Sequence, residues 1–82
     1  MVSGQYPGGV IDLRLHRPQT RLVLVEQTLM ALRPGEDVLL VFPAPPVRLP
    51  GYIERIYPSR FEFTPVEDGP AFWSLHVHPL EP

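Results

Sequence analysis

The sequence predicts an α+β fold: a two-layer β-α-β-α-β-β sandwich, with a four-stranded mixed sheet carrying two helices on one face. Three observations point to it. Apolar residues recur at helical spacing between positions 20 and 32, strand-like runs lie on either side of that segment, and Pro- or Gly-rich stretches separate the runs. With 82 residues the chain has room for one core, and 44% hydrophobic with 20% charged residues is the balance of a folded globule.

Residues 1–9 hold three Gly and one Pro and read as a flexible lead. The domain is expected over 10–78, with 79–82 as a tail closed by Pro79 and Pro82. Residues 10–14 alternate as a strand that turns Ile11 and Leu13 to the core. Pro18 suits the first turn of a helix, where its missing N–H is not needed, and Leu22, Val25, Leu29 and Leu32 mark one face of that helix. Arg33 favours the negative end of the helix dipole, Pro34 cannot continue the helix, and Gly35 permits a reversal. From Asp37 to Phe42 the chain runs Val38, Leu39, Leu40, Val41 and Phe42, apolar on both faces, as an interior strand requires. Leu49, Tyr52, Ile53, Ile56 and Tyr57 share a helical face, shortened by the prolines before it and by Gly51. Phe61 and Phe63, then Trp73, Leu75 and Val77, alternate with polar residues as a hairpin. Its turn is expected at Glu67-Asp68-Gly69-Pro70.

Composition removes whole classes of function. Without Cys there are no disulfides, thiolate metal ligands, cysteine nucleophiles or persulfides. A net charge of -2 and a pI near 5.8 offer no basic field to a polyanion, so no nucleic-acid partner is expected. The N-terminus lacks the pattern of a signal peptide and the apolar runs at 22–25 and 38–42 are too short to span a bilayer. No membrane partner and a cytoplasmic address are therefore expected. All seven basic residues are Arg and there are 12 Pro, a composition compatible with a heat-resistant protein.

Several short stretches carry a family resemblance: Ile11-Asp12-Leu13-Arg14, Pro18, Ala31-Leu32-Arg33-Pro34-Gly35-Glu36, Leu40-Val41, Arg60-Phe61-Glu62, Glu67-Asp68-Gly69-Pro70 and Trp73. In this order they resemble the domain-of-unknown-function family 2249, whose relatives share the fold of the TusA and SirA sulfur carriers. The resemblance covers residues 10–77. In the carriers a Cys-Pro pair opens the first helix; here the pair is Arg17-Pro18, so the fold is implied and sulfur transfer is excluded. The family's polar Asp-His-Asp-Pro stretch after the second strand corresponds here to Pro43-Ala44-Pro45-Pro46, which can neither bind a metal nor exchange protons.

Two clusters remain as candidate sites. Arg14, His16, Arg17 and Arg21 gather near the start of the first helix, where free N–H groups and the dipole favour an anion. Arg48 joins them if the helices lie side by side. The alternative is ordinary surface pairing with Asp12 and Glu36. His76 and His78 project from one face of a strand, and with Glu62 on the paired strand they are a weak metal candidate; two histidines on an open sheet face are more often solvated or part of a subunit contact, so no metal is expected. Phe72 on the same face is either a homodimer surface or a single exposed aromatic of the ordinary kind. Ser3, Ser59 and Ser74 lack the setting of a nucleophile. The expected role is thus a non-enzymatic accessory module without a cofactor, binding a protein partner or a small anionic ligand. The competing reading, an enzyme using His16, His76 or His78, predicts metal retained through purification.

Overall fold

A computed structural model describes residues 6–80, so residues 1–5 of the expected lead and 81–82 of the expected tail lie outside the described residues. The element order is β1 (Gly9–Asp12), a 3-10 turn (Leu13–Leu15), α1 (Pro18–Ala31), β2 (Val38–Phe42), α2 (Leu49–Ile56), β3 (Phe61–Asp68) and β4 (Trp73–Pro79). The sheet runs β1-β2-β4-β3, with β1 parallel to β2 and the other pairings antiparallel, which is the mixed four-stranded sheet expected.

The first strand is shorter than its alternation suggests. The Asp12 carboxylate accepts the backbone N–H of Arg14 at 3.1 Å and turns the chain into the 3-10 element, from which Leu13 still reaches the core at 0% exposure. Pro18 takes the first position of α1, and Arg17 before it is extended, as a residue preceding proline is constrained to be. The helix stops at Leu32. Gly35 at φ +86° makes the reversal, and Glu36 caps it from its side chain, accepting the Arg33 N–H at 2.8 Å.

Both helices pack on the same face of the sheet. Val25 and Leu29 of α1 and Ile53 of α2 join Val38, Leu40, Val77, Leu13 and Phe61 in one cluster. Leu22, expected on the buried face, is 40% exposed and borders a groove instead. Register fixes the other face: with Val38 opposite Val77 and Leu40 opposite Leu75 facing the helices, His76 and His78 must face away.

The hairpin turn lies later than expected. Glu67 and Asp68 belong to β3, opposite Ser74 and Trp73, after a bulge between Pro65 and Glu67 that absorbs the proline; the reversal is made by residues 69–72, where Gly69 N–H donates to the Phe72 carbonyl at 2.9 Å. The domain limits also extend past 10–78. Gly9 is already strand, Pro79 ends β4, and Leu80 N–H donates to the Arg60 carbonyl. Ahead of β1, Gly8 donates to the Asp37 carbonyl at 2.7 Å and lies so close to it that a Cβ would stand 2.6 Å from the Glu36 carbonyl oxygen. Among the described residues no helix is long and apolar enough to cross a membrane.

Candidate functional site

β1 and β2 run parallel, and the connections leaving their carboxyl ends frame a groove. This is the position at which open α/β sheets commonly hold ligands. The groove, of about 420 Å³, runs between α1 and residues 42–49. Its walls are apolar, with Leu22 and Val25 of α1 on one side and Phe42 with the proline segment on the other, and two cations enter it: Arg21 from α1 and Arg48 from the start of α2.

Arg21 is held in place by the backbone beside it. Its Nε donates to the carbonyls of Leu13 and His16 at 2.9 and 3.0 Å, tying α1 to the 3-10 turn, and no bond to its terminal nitrogens occurs among the described residues. The guanidinium thus presents its remaining donors from a rigid mount, a lower ordering cost than a free side chain carries. Arg48 is exposed and makes no capping bond.

The other members of the expected anion cluster sit elsewhere. Arg14 is bound to Asp12 through Nε and Nη2 at 2.9 and 2.8 Å, and this bond holds the Asp12 carboxyl below the ordinary carboxylate range. Its guanidinium also lies 5.1 Å from the centre of the Phe72 ring. Phe72 is therefore covered and partly buried, not a bare ring on the sheet face. His16 ends the 3-10 turn and contributes its backbone, while Arg17 is the N-cap residue of α1 with no side-chain capping bond. Neither lines the groove.

The histidine pair has a partner that the sequence reading missed. Asp37 accepts from His76 Nε2 at 2.5 Å and from His78 Nδ1 at 2.8 Å, so one carboxylate bridges both rings. Glu62 stands opposite His78 in register and is exposed. Tyr6 meets His76 edge to face at 5.5 Å. Among the described residues no group of three or more His, Cys, Asp or Glu side chains is placed to hold a metal ion. The available signal was parity: Asp37, one residue before β2, falls on the same outward face as the two histidines.

Burial pushes the Asp37 carboxyl up, but hydrogen bonds from His78 and His76 and their charge prevail and hold it below its ordinary value of 3.8. A carboxyl depressed in the folded state contributes stability that is present above the unfolded value and lost as pH falls through the folded one. Asp37→Asn is expected to lower stability by about 1–3 kcal/mol at pH 7 and to flatten the loss of stability below about pH 4. Urea unfolding across that range, on both proteins, measures the difference in slope.

No family model, curated protein or solved structure matches the chain.

Proposed function

We propose that this chain is a non-enzymatic binding module that holds a small anion with an apolar body in the groove between α1 and residues 42–49. One observation carries the reading: Arg21 and Arg48, far apart in sequence, line a single groove whose other walls are Leu, Val, Phe and Pro side chains. Apolar walls favour a hydrocarbon body, and two guanidinium groups at its side favour a carboxylate or phosphate attached to it. The relationship to family 2249 belongs to the same proposal. It is supported by the β-α-β-α-β-β order and by Pro18 at the head of α1, while the Cys chemistry of the sulfur carriers has no counterpart here.

The test is an amide NMR titration with octanoate, with octanol as the uncharged counterpart. Octanoate is expected to move the signals of Arg21, Val25 and Val47, and octanol to bind far more weakly. Arg48→Gln removes one charged donor, with an expected loss of about tenfold in octanoate affinity and an unchanged melting temperature, because the side chain is exposed. Equal binding of the acid and the alcohol, or an unaffected variant, would refute the reading.

A further inference from the structure

Residues 45–47 form a ridge with a groove on each flank, and the second groove has the opposite electrostatic character. It encloses about 260 Å³ between the ridge, the start of α2 and the bulged part of the hairpin. Pro45, Pro46, Pro50 and Pro65 line it together with Trp73. Glu67 and Asp68 line it as well, and both are exposed with no ion pair among the described residues. We propose that this groove docks a basic segment of a partner protein, an Arg or Lys flanked by Pro or other apolar residues.

Charge and shape both select that occupant. Proline rings offer an apolar surface without backbone donors, against which the aliphatic stem of Arg or Lys can lie with its charged head at the acidic rim. Trp73 adds the aromatic face to which a cation is drawn most strongly, and it is held in place: a Cβ at Gly69 would stand 2.6 Å from its ring. A groove of prolines and an indole also fits an extended, proline-rich ligand, which loses little freedom on binding. Glu67 and Asp68 follow the bulge at the end of β3, opposite Ser74 and Trp73, and this end of the hairpin brings both acids to the rim of the groove. Val47 stands on the ridge at 82% exposure, an apolar side chain left in water until a partner covers it.

The site carries its own probe, since Trp73 is the single Trp of the chain. A capped peptide of two Pro-Pro-Arg repeats, titrated into the full chain, is expected to change Trp73 emission saturably and to bind less tightly as salt is raised. The matching Pro-Pro-Glu peptide is expected to leave the emission unchanged. The double variant Glu67→Gln with Asp68→Asn is expected to lose about tenfold or more in affinity at an unchanged melting temperature. No saturable response to the Arg peptide, an equal response to the Glu peptide, or full binding by the double variant overturns the proposal. Emission that changes with protein concentration alone overturns it in favour of a second copy as the occupant. Because Arg48→Gln leaves this groove intact, that variant is expected to bind the Arg peptide normally, which separates this outcome from the fate of the octanoate reading.

Discussion

Ile53→Ala is expected to lower the unfolding free energy by about 3–4 kcal/mol, within the range of large-to-small changes at fully buried sites. Ile53 is the only buried residue of α2 and has 0% exposure, so it is the point at which the short helix is fastened to the sheet. Leu49 and Tyr52 touch the same core but are only partly buried, and the Tyr52 hydroxyl is directed to Glu26 of α1, to which it donates at 2.8 Å. A domain of this size has a total stability of about 4–12 kcal/mol, so the substitution removes a large share of it. Urea unfolding followed by Trp73 emission measures the change, and Ile53→Val, which keeps most of the packing, is expected to cost only about 1 kcal/mol. A loss below about 1 kcal/mol for the alanine variant would mean that α2 does not rest on the sheet.

The second large effect is expected at Gly8. An alanine Cβ there would meet the Glu36 and Asp37 carbonyl oxygens at 2.6 and 2.9 Å and a Leu32 methyl at 2.8 Å. Two of these three neighbours are backbone and cannot rotate away. Relief requires the entry to β1 to lift from the turn, which breaks the Gly8 to Asp37 hydrogen bond and disturbs the residue that bridges His76 and His78. Gly8→Ala is expected to cost about 2–3 kcal/mol, or a fall of about 10–20 °C in melting temperature. It is also expected to move the side-chain NMR signals of both histidines through Asp37. Calorimetry and an imidazole spectrum test the two parts separately.

What could be read from sequence was local. Residues 20–32 announced α1 by spacing, Pro18 and Gly35 marked its ends, and the unbroken apolar run at 38–42 announced an interior strand, because each signal is made by neighbours in the chain. The length of β3 was hidden because Glu67-Asp68-Gly69-Pro70 has the composition of a turn, and a bulge that admits Pro65 has no mark of its own. Asp37 was hidden for another reason: its partners lie 39 and 41 residues away, and only the β2–β4 register brings them together. The anion cluster divided along the same line. Arg14 and Arg21 share one stretch of sequence, but Asp12 claims the first, while the second meets Arg48 only through the packing of α1 beside the proline ridge.

Among the described residues the order β1-β2-β4-β3 leaves two strands with an unpaired side, and neither invites another chain to hydrogen-bond alongside. β1 has four residues, too few for a strong backbone template. β3 is longer, but Pro65 lacks an N–H, the bulge breaks the regular spacing of donors and acceptors, and Glu62, Glu67 and Asp68 repel a like edge. The sheet edges therefore disfavour β-augmentation. Both proposed ligands would be read by side chains in grooves, so a single substitution would redirect recognition without touching the scaffold.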